Sequence, residues 1–289
     1  MRLKYHLIMG ALKLLAALPF PVLYLLSDFL YLFLYYIPGY RKKVVMENLR
    51  FAFPEKTEEE RNTIAKQFYA NLADMIVETI KLIHADWNDV AERAYGDFIP
   101  QQQVYEKGKN VLMGLSHQFN WEMGSWALTK GTKFQMLAFY TPITDPVIEK
   151  IVLDYRKKLG TIFISTRLAW QEMEKYKDIP TLTAFLADQN PTKLNKAYWT
   201  TFLNRETPFH TGLERAALRT GDPVIFTEIV RVKRGYFKER STMAFENPKE
   251  TKPGEITEAF VRFLEESIKR QPDNWVWTHK RWKHKRIDY

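Results

Sequence analysis

The sequence predicts an α/β fold, a central mostly parallel sheet flanked by helices, with an N-terminal apolar helical membrane-anchoring segment. Three observations predict it. Short apolar runs recur beyond residue 110 and alternate with helical patterns, the order that builds βαβ units. The run Val111–Leu115 is continuously apolar, as in a strand buried on both faces. From Tyr5 to Ile37 only seven residues are neither apolar nor aromatic: His6, Gly10, Lys13, Pro19, Pro21, Ser27 and Asp28.

That first segment has three readings. A bilayer span takes about 20 apolar residues, and Leu14–Ile37 reaches 24 only by accepting Asp28. Pro19 and Pro21 predict a kink or a split. A cleaved signal peptide fits Arg2 and Lys4, but no small-residue cleavage site follows. A buried hairpin of two short helices is the second reading. A membrane anchor, spanning or dipping into one leaflet, is the third and the one adopted. Arg41, Lys42 and Lys43 close the segment with the basic cluster that attracts anionic headgroups. The expected division is therefore an anchor over 1–40 and a single domain over 41–289, on the cytoplasmic side of the membrane.

Thr57 and Glu60 have the spacing of a capping box. The helix they open carries Ile64, Phe68, Leu72, Ile76 and Ile80 at four-residue spacing, predicting one buried stripe. Strands are expected at Val111–Leu115, Phe134–Phe139, Thr161–Ser165, Thr181–Ala187, Val224–Arg231 and Phe237–Phe245. Helices are expected at Trp121–Lys130, Asp145–Lys158, Leu168–Tyr176, Gly212–Arg219 and Glu255–Arg270.

Composition narrows the chemistry. The 289 residues include 43 basic and 34 acidic, a net +9, and 15% are aromatic, which favours a partner both anionic and greasy. A mean hydropathy of −0.36 excludes a polytopic membrane protein. With no cysteine there is no disulfide framework, no thiolate nucleophile and no Cys-ligated metal. Trp275, Trp277 and Trp282 among Lys280, Arg281, Lys283, Lys285 and Arg286 suit either nucleic acid or a membrane interface. Without a nucleic-acid-binding motif, no nucleic-acid partner is expected.

Of the six histidines, His6 and His84 have no obvious partner, His210 is placed to cap a helix, and His279 and His284 lie among cations as solvated surface. His117 differs. It follows the strand Val111–Leu115, and open α/β sheets place ligands at such strand ends. Five residues on, Glu122 falls in the first turn of the next helix. A carboxylate there, accepting the imidazole Nδ1–H, fixes the tautomer and leaves Nε2 as a base. With such a base an acceptor's own hydroxyl can be the nucleophile; the other reading of the spacing is a satisfied loop histidine beside a helix-start glutamate. Asp188 and Gln189 end another buried strand and are candidate substrate contacts. So are Arg156 and Arg167, whose guanidinium groups suit phosphate.

The H-x-x-x-x-E pattern resembles that of the lipid A acyltransferases, and the likeness continues along the chain. Asn48-Leu49-Arg50-Phe51-Ala52-Phe53-Pro54 resembles that family's early N-L-x-x-A-F-P segment, and Ala187-Asp188-Gln189 its D-Q strand end. Thr211-Gly212 with the Gly221–Val224 turn resembles a further helix and strand. Pro272–Lys283 is similar to the ending P-E-x-W-x-W-x-H-R-R-W-K. Two departures stand out: Tyr140 is followed by Thr141 rather than Arg, and D-Q-D is replaced by D-Q-N at Asn190. The resemblance implies an acyl donor on acyl carrier protein, a lipid A precursor as hydroxyl acceptor, His117 as general base with Glu122 as its partner, and neither cofactor nor metal. A lysophospholipid or aminolipid acceptor is the alternative within the same chemistry, and a non-catalytic membrane-surface protein the alternative outside it.

Overall fold

The computed structural model describes residues 2–37, 39–158, 160–166 and 169–286. Helix α1 (Arg2–Ala17) and helix α2 (Phe20–Tyr36) are separated where the prolines predict a break: Pro19 caps α2, Pro21 lies in its first turn, and the two axes bend by 117°. Neither helix is by itself long and apolar enough to cross a membrane; together the bent pair has the length and composition. One side of α2 is tied to the body, since Ser27 Oγ donates to Asp74 at 2.6 Å. Its other side leaves Leu25, Phe29, Leu32, Phe33 and Tyr36 exposed.

Helix α3 (Lys42–Ala52) follows, then α4 (Glu58–Leu82). The capping box forms: Glu60 Oε2 accepts from Thr57 N at 2.6 Å and Thr57 Oγ1 from Glu60 N at 3.2 Å. The predicted stripe holds for Ile64 and Phe68, but Leu72, Ile76 and Ile80 are only partly buried. The second half of α4 instead buries Asn71, Asp74, Val77 and Glu78, because α2 packs along it and supplies polar partners.

Helix α5 (Trp87–Ala91), strand β1 (Ala94–Gly96) and helix α6 (Ile99–Glu106) lead into the expected alternation of β2 (Val111–Leu115), α7 (Trp121–Gly131), β3 (Gln135–Tyr140), α8 (Pro146–Lys157), β4 (Ile162–Ser165), α9 (Ala169–Glu174) and β5 (Thr181–Leu186). A hairpin comes next, β6 (Tyr198–Phe202) and β7 (Arg205–Phe209). Its two-residue turn, Leu203-Asn204, holds both residues at positive φ, +46° and +69°, without the glycine that normally announces such a turn. The chain ends with α10 (Gly212–Thr220), β8 (Val224–Lys233), β9 (Tyr236–Phe245) and α11 (Glu255–Arg270).

The main sheet runs β1-β9-β8-β2-β5-β3-β4. Every neighbouring pair is parallel except β8–β9, so β1 and β9 run against the other five and the sheet is mostly parallel with β2 at its centre. Strand alternation divides the interior. Leu112, Val224 and Phe226 enter the core shared with α3, α4, α10 and α11. Val111, Met113, Leu115 and Ile225 enter the core beneath α6 and α7 on the opposite face.

The two ends of the chain meet. Asn48, buried in α3, donates from Nδ2 to the carbonyls of Trp277 and His279, both at 2.8 Å. Phe51 packs edge-on to Trp282 and Phe53 to Trp277. Trp275 and Trp277 are therefore core, 1% and 0% exposed, which corrects their reading as a membrane-interface or nucleic-acid surface. Asn48→Ala leaves the Trp277 carbonyl without its donor, and the His279 carbonyl with only the Arg281 N–H, and should lower the unfolding free energy by about 1–3 kcal/mol, measured by urea titration. An unchanged midpoint would show that the junction contributes nothing.

Candidate active site

Parallel pairing sets the site. Leu115 of β2 is in register with Leu186 of β5, and the pairing continues one step through Ala187 N, which donates to Leu115 O at 3.2 Å. His117 and Asp188 each lie two residues beyond those partners, so the chain path alone brings them side by side at the sheet's carboxyl edge. Asp188 Oδ1 lies 2.7 Å from His117 Nδ1, and Asp188 Oδ2 accepts from the His117 backbone N–H at 3.0 Å and from the Trp275 indole at 2.8 Å.

Glu122 thus does not hold the imidazole, as its spacing suggested. Asn120 caps α7, its Oδ1 accepting from Glu122 N at 3.0 Å and Met123 N at 3.3 Å. From that first turn the Glu122 side chain reaches α8: Tyr155 donates its hydroxyl to Oε2 at 2.7 Å, and Arg156 pairs with Oε1. The helix start turns the carboxylate toward α8, while the neighbouring strand end supplies the partner of His117.

The electrostatics agree with the geometry. Burial pushes the Asp188 carboxyl up, but the charge of His117 and the hydrogen bonds from its ring, its backbone and Trp275 outweigh it, bringing Asp188 down to about 2. An ionised Asp188 requires the proton on Nδ1, which leaves Nε2 as the ring's basic nitrogen. Burial also lowers Arg156, and the adjacent Glu122 more than offsets this, keeping the guanidinium charged.

His117, Glu122 and Arg156 line one cavity of about 690 Å³, with Asp188 behind His117. Its polar wall includes His117, Glu122, Arg156, Gln189, Asn190, His210 and Arg215. Its inner wall is formed by Leu115, Leu128, Met136, Ala138, Ala184 and Ile229, all buried side chains between the sheet and α7. The site is thus a polar mouth leading into an apolar recess.

Of the residues the sequence singled out, His117, Asp188, Glu122, Arg156 and Gln189 are brought together here; Arg167 lies outside the described residues. Tyr155 and the role of Trp275 were not foreseen. His210 lines the cavity and does not cap α10, which has no side-chain cap. Nor is His279 solvated surface. Its Nε2 lies 3.2 Å from Asn190 N and 3.0 Å from Asn190 Nδ2, while Asn190 also donates to Lys280 O and accepts from Arg281. The D-Q-N ending is a clasp on the C-terminal segment. Among the described residues, no cluster of His, Asp and Glu is arranged to hold a metal ion.

Burial first, and then the neighbouring Arg281, push His279 down to about 4. An unfolded histidine titrates near 6.5, so as pH falls from about 6.5 to about 4 the unfolded chain takes up a proton that the folded chain refuses. Stability contributed by His279 is whole above about 6.5 and is lost across that window. Glu78, raised to about 7 chiefly by burial, acts in the opposite sense, its contribution fading as pH rises from about 4.5 to 7. The difference between wild type and His279→Gln isolates the histidine: the wild type should lose more stability than the variant between pH 6.5 and 4. Parallel curves would refute a half-buried His279 held neutral over that range.

Compared with known families, residues 2–284 match the model of the bacterial lipid A biosynthesis acyltransferases. A search of curated proteins finds no match. Since that model spans nearly the whole chain, from α1 through the C-terminal segment behind Asp188, the chain belongs to the bacterial lipid A biosynthesis acyltransferase family.

Proposed function

We propose that this protein moves a fatty acyl chain from an acyl carrier protein thioester to a hydroxyl of a lipid A precursor, with His117 as general base and Asp188 as its partner. The observation that carries this reading is the His117–Asp188 hydrogen bond at the mouth of a cavity with an apolar recess. His117 Nε2 takes the acceptor's hydroxyl proton as that oxygen attacks the thioester carbonyl. The tetrahedral intermediate collapses, the C–S bond breaks, and the imidazolium returns the proton to the departing thiolate. Asp188 stabilises the imidazolium while it exists, and the recess accepts the acyl chain.

Glu122 is assigned a different role. By holding Arg156 against the cavity wall it aims a guanidinium at the anionic groups of a phosphorylated acceptor. Gln189, at the same wall, offers a neutral hydrogen-bonding contact.

We place the apolar hairpin α1–α2 in the inner membrane and the remainder on its cytoplasmic face. The exposed leucines and aromatics of α2 support this, as do Arg41, Lys42 and Lys43 directly after it. The acceptor's hydroxyl lies on a membrane lipid, so an enzyme seated at that surface meets it without extracting it.

Purified protein assayed with acyl carrier protein thioester and lipid A precursor tests the roles. His117→Ala should abolish transfer. Asp188→Asn should lower kcat by about 10²–10⁴-fold, the range for loss of general-base help. Glu122→Gln should chiefly raise the acceptor KM, with kcat falling less than about tenfold. Wild-type turnover by His117→Ala, or full kcat in Asp188→Asn, would overturn the assignment.

A further inference from the structure

Glu78 is a buried carboxyl that the reaction as described does not use. It sits on α4, 1% exposed, and the described residues offer it no cation within 4 Å. It makes two hydrogen bonds. Oε2 accepts from Asn120 Nδ2 at 2.9 Å, and Oε1 accepts from the hydroxyl of Tyr24 at 3.0 Å. The two donors belong to different parts of the molecule. Asn120 ends the loop that begins at His117 and caps α7, where Glu122 lies in the first turn. Tyr24 stands on α2, whose opposite side is the exposed apolar surface.

We propose that Glu78 is a positioning residue that locks Asn120 and, through Tyr24, couples the seating of α2 to the geometry of the catalytic loop. The inference rests on the site assignment made above. An amide has two distinct ends, and Glu78 fixes which way Asn120 points: its nitrogen toward α4 and its oxygen onto the Glu122 and Met123 N–H groups. Without the carboxyl the amide is free to flip, and a flipped Asn120 turns NH₂ toward the α7 amides and leaves them uncapped. Glu122 then loses its fixed place opposite Arg156, and the loop carrying His117 loses its far anchor.

The coupling to α2 follows from the polar contacts it makes with the body. Tyr24, Ser27 and Asp28 fall at i, i+3 and i+4, on one side of the helix. All three reach the body: Tyr24 to Glu78, Ser27 to Asp74, and Asp28 to Arg234, which also binds Asp74. A displacement of α2 against α4 therefore strains the Glu78 contact, one hydrogen bond away from the α7 cap. The same geometry carries the effect of a bilayer gripping the outer side of α2 inward to the loop.

The test uses the full chain in vesicles of phosphatidylethanolamine and phosphatidylglycerol, with amide exchange at Glu122 and Met123 read beside kcat and KM. Glu78→Ala should speed exchange at those two amides at least about tenfold, lower kcat about 10- to 100-fold as the His117 loop loosens, and raise the acceptor KM as Glu122 loses its hold on Arg156. Glu78→Gln keeps an acceptor for Asn120 and a donor for Tyr24, and should restore both readouts to within about threefold of wild type. Tyr24→Phe removes a single hydroxyl and should give an intermediate change in both, which keeps the test decisive if Glu78→Ala folds poorly. A Tyr24→Phe protein indistinguishable from wild type in both readouts, or a Glu78→Gln protein as impaired as Glu78→Ala, would overturn the proposal. Exchange is measured without turnover, so an error in the acyltransferase assignment would remove the kinetic effects and leave the exchange pattern.

Discussion

A carboxylate removed from water keeps its charge only when donors replace the water it gave up. Asp188 has three: the ring and the backbone N–H of His117, and the indole of Trp275. Each donor comes from a different stretch of chain from Asp188, which follows β5. His117 follows β2, and Trp275 belongs to the segment after α11. The requirement of one buried charge thus joins the sheet centre to the C-terminus. Around this point the chain closes on itself, with Phe119 N donating to Asn274 O at 3.0 Å and Val276 N to His117 O at 3.2 Å.

The surrounding polar contacts extend the same arrangement. Asn48 holds the carbonyls of Trp277 and His279, and Asn190 holds His279, Lys280 and Arg281. Arg281 is wholly buried and no described carboxylate pairs with it; burial brings it down to about 9, and the Phe209 ring lies 4.3 Å from the guanidinium carbon. Behind the cavity the protein therefore concentrates buried polar groups whose partners are fixed, while the recess itself is apolar. Fixed donors and acceptors hold the His117 imidazole in one orientation, as the proposed proton transfer requires.

Local patterns in the sequence were sufficient for the alternating strands and helices because each is encoded within its own segment. The capping box at Thr57, the proline break at Pro19 and the limits of α11 are contacts between near neighbours. The partner of His117 was not legible in that way. Glu122 is five residues from His117 and Asp188 is 71, and nothing in the spacing says that β2 and β5 are adjacent when β3 and β4 intervene in the chain. Once that adjacency is known, equal offsets from Leu115 and Leu186 identify the pair. The β6–β7 hairpin was missed because Leu203 takes a left-handed conformation that leucine rarely adopts; Glu265 accepting from its N–H at 2.7 Å helps hold it there. The polar face of α4 was not legible because Asp74 and Glu78 gain their partners only when α2 and β8 bring Ser27, Tyr24 and Arg231 to them.

The central claim is that this cavity adds an acyl chain to a lipid A precursor and that His117 makes it do so. Mass spectrometry of lipid A from cells lacking the protein, complemented with wild type or with His117→Ala, tests it most directly. The account predicts that the wild type restores a species heavier by one acyl chain and that His117→Ala, present at equal abundance, does not. An identical lipid A profile with and without the protein, or full restoration by His117→Ala, would contradict it.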